Sequence, residues 1–438
     1  MKRSLFTILI IFTIIVAQSQ VADTLSLKQC HEIAVRNYPL SKQFDLLDNQ
    51  NDIRLKGLNT NYLPQVSING QASYQSEVTE VAVVIPDITI PGSGITITPQ
   101  QPQVDPPPKD QYKITLDLQQ SIYDGGITGK QKDIENLNLE INNQSIEIEL
   151  YKLKENINGV YFSIILLQES NKLLHILKSQ LTDKLKETES AVRNGVLLES
   201  EQDILKAEQL KLEQQITEVE SSRRSSVKVL AELMSENIAD NIILEIPQPK
   251  IETYTFNNSR LEFQLFDMQI NKIDASKKLI TSTWNPKLYG FGSLGYGKPG
   301  LNMLSNDFKE FYIVGAKLNW QLWNWNKNKR DKEVLDIQNE IIKTQQETFN
   351  KSVKIGAESR MEDIKKYETL ITKDIEIISI RERIANTASS QLDNGVITST
   401  EYVSRLNEAT QAKINMQSHK IQLVQAKINY LATTGKMD

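Results

Sequence analysis

The chain has 438 residues, with 50 Lys and Arg against 55 Asp and Glu and a formal net charge of −5. That balance excludes a nucleic-acid partner, which needs a concentrated basic face. The single cysteine, Cys30, excludes an intrachain disulfide framework. Past the N-terminal run no stretch approaches the ~18 apolar residues of a membrane-spanning helix, so the mature chain is expected to have none.

Residues 1–19 are expected to be a signal peptide. Lys2 and Arg3 form a basic start, and Leu5 to Val16 is an apolar run of about 12 residues, too short to span a bilayer. Ala17-Gln18-Ser19 is a small-x-small cleavage pattern, which starts the mature chain near Gln20. Cys30 lies well beyond the run and fits a lipid acceptor poorly. An exported chain then has three destinations: free periplasm, secretion, or the outer membrane by way of a β-barrel.

The rest is a duplication with a period of about 200 residues. Tyr112 to Gly126 reads YKITLDLQQSIYDGG and aligns with YIVGAKLNWQLWNWN, Tyr312 to Asn326. Arg193-Asn194-Gly195-Val196 aligns with Asp393-Asn394-Gly395-Val396, and Glu201 with Glu401. Upstream, LPQVSINGQASY from Leu63 pairs with NPKLYGFGSLGY from Asn285, so the first copy carries extra residues after Tyr74. The expected organisation is a first repeat over 20–236, a linker over 237–258 broken by Pro247 and Pro249, and a second repeat over 259–438. Each repeat reads as helix, strand, loop, strand, very long helix, tight turn, helix.

Strands are expected at about 64–75, 111–123, 286–297 and 311–323. Tyr112, Ile114, Leu116 and Leu118 alternate with Lys113, Thr115, Asp117 and Gln119. Val66, Ile68, Gly70, Ala72 and Tyr74 alternate with polar residues, and Tyr312, Val314, Ala316, Leu318 and Trp320 form a similar row. A period of 2 gives one greasy and one wet face. Lengths of about 10 to 12 residues suit tilted barrel strands. An ordinary half-buried sheet fits the same alternation. Four strands cannot close a barrel, whereas three copies supply about twelve. Tyr123, Trp320, Trp323 and Trp325 cluster as an interfacial aromatic belt would. The segment 75–111, rich in proline, suits an irregular loop.

From Ile127 to Arg193 there is no proline, which allows a helical rod of roughly 100 Å. Ile146, Leu150, Leu153, Ile157, Val160, Ile164, Leu167, Leu174, Leu181, Leu185 and Val192 fall on one seam, interrupted by Asn171, Lys178 and Thr188. That spacing is a coiled-coil pattern. Leu205, Leu212, Ile216, Val219, Leu230 and Leu233 continue it beyond the Asn194-Gly195 turn, giving a long antiparallel hairpin. Asn394-Gly395 makes a second hairpin.

No constellation for chemistry emerges. His31, His175 and His419 are scattered, which gives no support for a zinc site or a triad. Asp124 to Gln131 lacks the first Gly and the final Ser/Thr of a phosphate loop and reads as a strand-to-helix turn. No catalytic residue, cofactor or metal is assigned, and an enzyme is not expected.

The repeated strand–strand–long-helix unit, the turns RNGVLLESE (Arg193 to Glu201) and DNGVITSTE (Asp393 to Glu401), and the opening LSLKQCHEIAVRNYP (Leu25 to Pro39) together resemble the TolC family of outer-membrane efflux proteins, over nearly the whole mature chain. The resemblance implies a mainly α fold with a β-barrel part. Long antiparallel coiled-coil hairpins and four transmembrane strands per chain would form a trimeric barrel of about 12 strands and an α-helical tunnel. It implies a homotrimer in the cell outer membrane, in contact with its lipid and extending into the periplasm. Such a channel would be a passive export conduit in a tripartite efflux or type I secretion system, served by a periplasmic adaptor and an inner-membrane pump. It makes Arg193, Asn194, Gly195, Val196, Asn394, Gly395 and Val396 adaptor-contact candidates. It also makes Glu401 an aperture candidate, with Ser404 one turn later where a second carboxylate would be expected. Two other readings are a periplasmic adaptor, which normally has one hairpin and a lipoyl-like β domain, and a structural coiled-coil envelope protein without a pore.

Overall fold

The computed structural model describes residues 24–80, 82–102, 106, 108–249, 258–303 and 305–437. The expected signal peptide and residues 250–257 of the expected linker lie outside them. The chain forms two compact units, and each draws on both sequence repeats. One contains the chain up to Phe44, Gln144–Leu265 and everything from Gln345; the other contains Asp45–Asn143 and Phe266–Thr344.

The first unit is helical. The chain enters through β1 (Thr24–Leu25) and α1 (Leu27–Asn37), which starts with a capping box. In it the Ser26 hydroxyl accepts from the Gln29 N–H while the Gln29 side chain accepts from Ser26 N–H. Two pairs of helices follow: α3 (Ile127–Arg193) with α4 (Glu199–Met234), and α6 (Lys327–Asp393) with α7 (Ser399–Thr434). Most of the seam read from sequence is buried: Ile146, Leu150, Leu153, Ile157, Ile164, Leu174 and Leu181 on α3, and Leu205, Leu212 and Leu230 on α4, with Leu174 and Leu181 packed in one cluster with Leu205 and Leu212. Thr188, which interrupts the seam in sequence, is buried as well.

A second layer crosses the helices midway. β1 pairs in parallel with β6 (Ile243–Leu244). The pair is pinned from α3: Tyr161 OH donates to Leu25 O at 2.9 Å and Glu245 O at 2.7 Å. The Gln168 amide brackets Leu244 by accepting its N–H at 3.1 Å and donating to its carbonyl at 3.3 Å. Such bonds answer the demand that buried backbone groups be paired. Near the end of α7, Arg260 binds Glu155 at 2.7 Å and Glu262 at 2.6 Å and lies 4.6 Å from the Tyr151 ring centroid. Burial disfavours its charge, but hydrogen bonds to Glu262 and Glu155 outweigh burial and raise its pKa.

The second unit holds α2 (Gln43–Asn59, from Asp45), α5 (Leu261–Ser282, from Phe266), the first turns of α3 and α6, and a sheet. Its strands β2 (Gln65–Tyr74), β5 (Asp110–Tyr123), β7 (Lys287–Lys298) and β8 (Lys309–Asn319) lie in the order β2-β5-β7-β8, every neighbour antiparallel. Between β2 and β5 the long loop carries a small hairpin, β3 (Ile88–Thr89) with β4 (Thr96–Ile97). β8 stops at Asn319, short of the residue 323 read from sequence. Its last ladder residue, Asn319, lies opposite Lys287 at the very start of β7, so no β7 residue remains to pair with Trp320 onward.

Candidate functional site

Two features stand out as surfaces for function, one in each unit. In the sheet, residues directly opposite on neighbouring strands share a face. Ile68, Leu116, Leu294 and Tyr312 form one such row across all four strands; Val66, Leu118, Gly292 and Val314 form another; Gly70, Ile114 and Tyr296 lie in a third. These side chains are exposed, including Tyr312 and Val314 at more than two thirds of their surface. The four strands thus present a continuous apolar face far larger than scattered single residues would make.

The opposite face carries an internally bonded polar cluster beside Phe291 and Phe311. Asp117 accepts from Asn69 Nδ2 at 2.6 Å, Thr115 Oγ1 at 2.7 Å and Ser293 Oγ at 2.5 Å. Phe311 lies across Gly295, where a Cβ would meet its ring at 2.1 Å, so any larger residue there would have to displace the ring. The backbone edges of β2 and β8 have no neighbour in the sheet.

In the helical unit the two hairpin turns have the same construction. After Arg193, Gly195 N–H donates to Val192 O and Val196 N–H to Ala191 O, both at 2.9 Å. After Asp393, Gly395 N–H donates to Leu392 O at 3.0 Å and Val396 N–H to Gln391 O at 2.8 Å. Both are Schellman caps. They require the left-handed φ of +72° at Gly195 and +67° at Gly395. Asn194 N–H and Asn394 N–H return to Ser190 O and Ser390 O. Val196 and Val396 are left 72% and 68% exposed, so each turn offers an apolar tip without a packing partner.

The starts of the return helices lie side by side. Glu201 Oε2 on α4 accepts Ser399 N–H at the start of α7 at 2.5 Å, and Glu208 accepts from Asn407 Nδ2 at 2.7 Å. Lys184, only 5% exposed, binds Asp393 at 2.5 Å and Glu187 at 3.0 Å, with the Tyr402 ring 5.5 Å away. Burial opposes its charge, but hydrogen bonds to Asp393 and Glu187 win and its pKa is raised. Beneath these bonds one apolar cluster joins all four helices through Leu181, Leu205, Leu392, Tyr402, Val403 and Leu406.

Glu401 sits in the first turn of α7, its N–H capped by Thr398 Oγ1 at 3.3 Å. Its carboxylate faces Arg405 at 3.4 Å, Arg405 faces Glu408 at 3.7 Å, and Glu408 pairs with Arg381. Glu401 therefore opens a line of alternating charge rather than a row of carboxylates. Its sequence counterpart Glu201 caps the partner hairpin instead. Of the residues that join the hairpins, Glu201 and Asp393 entered the sequence reading only as aligned positions of the repeated turns, and Lys184 and Asn407 not at all. Nothing periodic announces a bond between positions about 200 apart.

Elsewhere titratable groups serve packing. His31 Nε2 bonds Asn158 Oδ1 at 2.8 Å, and burial lowers its pKa; burial pushes the Cys30 thiol up to about 12, which leaves it protonated and inert. His419 Nδ1 bonds Asp374 at 2.6 Å. Among the described residues no cluster of three or more His, Cys, Asp or Glu could hold a metal, and no helix is long and apolar enough to cross a membrane.

No family model and no curated protein matches the sequence. Solved structures do match. The outer membrane protein VceC of Vibrio cholerae superimposes with a TM-score of 0.63 at 12% identity, over 94% of this chain and 97% of that one. The Campylobacter jejuni CmeC outer membrane channel gives 0.61 at 12% identity, over 94% and 86%. The Neisseria gonorrhoeae MtrE outer membrane channel, solved in an open state, gives 0.62 at 13% identity, over 94% and 89%. The chain has the fold of these outer-membrane channels. Coverage of both partners is nearly complete, so this channel fold spans the sheet and both helical hairpins.

Proposed function

We propose that the chain is one subunit of a passive outer-membrane export channel. The observation that carries this reading is the four-stranded sheet whose apolar rows face outward while its two edge strands lack partners. In water such a face is a liability; against hydrocarbon it is a wall. Three copies joined edge to edge would make a barrel of about 12 strands, removing every open edge. The channel fold supports the same conclusion.

On this reading the helical hairpins extend into the periplasm. The turns at Arg193-Asn194-Gly195-Val196 and Asn394-Gly395-Val396 would receive a periplasmic adaptor on the exposed Val196 and Val396, with an inner-membrane pump supplying the energy. Glu401, beside the second turn, would lie near the periplasmic aperture, its charge partly balanced by Arg405. The exported compound is set by the pump and adaptor.

The test is the mass and conductance of protein extracted in detergent from the outer-membrane fraction. A particle of three chains that forms steady channels in a planar bilayer is expected. A soluble monomer without conductance overturns the proposal.

A further inference from the structure

The duplication sets the same strand-to-helix junction twice in the sheet-bearing unit, and the two differ in charge. At the first, Gln120 Nε2 donates to Tyr62 O at 3.2 Å. Asp124 accepts from Tyr62 OH at 3.0 Å, Gly126 N–H at 2.8 Å and Thr128 N–H at 2.6 Å. A carboxylate thus closes the start of α3. The nearby lysines are occupied: Lys130 with Asp133 at 2.9 Å, Lys132 with Asn59 at 2.5 Å.

At the second junction the same backbone bond is made by tryptophans, Trp320 Nε1 to Trp284 O at 3.2 Å. Asn324 stands where Asp124 does, so the carboxylate is gone, and Lys329 stands where Gly129 does. A cavity of about 480 Å³ opens there, its apolar wall formed by Trp284, Pro286 and Trp320 and its polar wall by Asn328, Lys329 and Lys332. No carboxylate lines it. Lys329 reaches Glu333 only at 4.0 Å, and Lys332 has no ion-pair partner among the described residues. The turn differs too. Gly125 and Gly126 are replaced by Trp325 and Asn326, which keep left-handed φ values of 55° and 59° despite their side chains. This holds Trp325, 76% exposed, edge-on to Trp323 at 5.8 Å.

An indole-walled cavity with one long-range-paired lysine, Lys329, and one lysine outside any described ion pair, Lys332, reached directly from a strand of the exposed apolar face, matches one amphipathic ligand. We propose that this junction binds the phosphate headgroup of a net anionic glycerophospholipid, with Lys329 and Lys332 on the phosphate and the acyl chains along the apolar sheet face. The proposal rests on the sheet facing a membrane. Indoles favour the headgroup level, and lysines reach charged headgroups from apolar surroundings. A free inorganic anion would have no use for the indoles, and an acidic peptide none for continuity with the sheet. The first junction, with Asp124 in place and its lysines bound, is an internal control.

The test uses the full-length protein reconstituted in nanodiscs of phosphatidylcholine containing a minority of phosphatidylglycerol, then released into detergent for native mass spectrometry. The wild type is expected to retain phosphatidylglycerol. K329Q/K332Q should lose retention by about fivefold or more per lysine removed. K329R/K332R should keep it, and K130Q/K132Q should behave as wild type. Wild type and K329Q/K332Q inserting equally and retaining the lipid equally would overturn the site while leaving the channel reading intact. A wild type that never inserts would overturn both, and the absence of conductance would identify that case.

Discussion

Helices α3 and α6 are both 67 residues long, and each is followed by a 36-residue partner. They are nevertheless used differently. α3 buries large side chains along most of its course, with Ile157, Tyr161, Phe162, Ile164, Ile165 and Leu181 fully enclosed. α6 buries fewer residues, three of them alanines (Ala357, Ala385 and Ala388) with Ile364 and Leu392 as its large enclosed side chains, and leaves Ile337, Ile341, Ile355, Ile375 and Ile377 in the open. Duplication preserved the length of the rod and the chemistry of its turn, while the packing diverged. α3 is the hub of its own subunit. The isoleucines exposed on α6 make sense as contacts for neighbouring copies in the proposed trimer.

The sharpest way to break this contrast is to truncate one residue on each helix. Leu181→Ala should cost about 2–5 kcal/mol, because it empties a fully buried site. Ile375→Ala should shift the isolated subunit by less than about 0.5 kcal/mol. Urea titration of the detergent-solubilised protein measures both. Equal losses in separated subunits would abolish the distinction; a loss at Ile375 seen only in the oligomer would assign that residue to the contact between copies.

A smaller effect separates the return helices. Glu201→Gln weakens a charge-assisted bond to Ser399 N–H and should cost about 1 kcal/mol. Glu401→Gln, at a half-exposed carboxylate, should leave stability within about 0.5 kcal/mol. It should nonetheless lower cation selectivity if Glu401 lies at the aperture. Single-channel recordings with unchanged selectivity would remove that role.

The smallest effect is in pH. Lys184 has a folded pKa raised above its ordinary 10.5. It therefore binds its proton more tightly folded than unfolded. Its contribution is complete below about pH 10.5 and disappears as pH rises through the folded value. Lys184→Met should flatten the loss of stability above about pH 10.5 in thermal melts and leave the profile below that unchanged; an unchanged slope would discard Lys184 as the link between α3 and the end of α6.

Much of this architecture is legible in the residues. The strand alternation about Tyr112 and the seam from Ile146 to Val192 carry periods of 2 and 3.5, and the structure has a sheet and long paired helices there. Legibility fails where packing is not periodic. Tyr161, Phe162 and Ile165 lie off the seam and are fully buried, Tyr161 because α3 also supports the β1–β6 pair, a two-residue ladder too short to leave a pattern. The turns were visible through Asn-Gly, since a left-handed residue after a long helix has few alternatives to glycine. The bonds that hold the turns together were not, because Lys184 and Glu201 look like ordinary solvated charges until the two hairpins meet. Asp124 and Asn324 show the same limit: one atom changes in the aligned pair, and only the surrounding geometry shows that a helix start has lost its carboxylate.

If the sheet faces a membrane as proposed, the open edges of β2 and β8 also set the order of events during biogenesis. In hydrocarbon, each unpaired backbone donor or acceptor costs several kcal/mol, so on the proposed channel reading a lone subunit would be kept out of the bilayer until other copies covered its edges. Insertion would then rise more steeply than linearly with subunit concentration. A cell producing little of this chain would hold it as waiting monomer, vulnerable to proteolysis, rather than as a proportionately smaller number of pores.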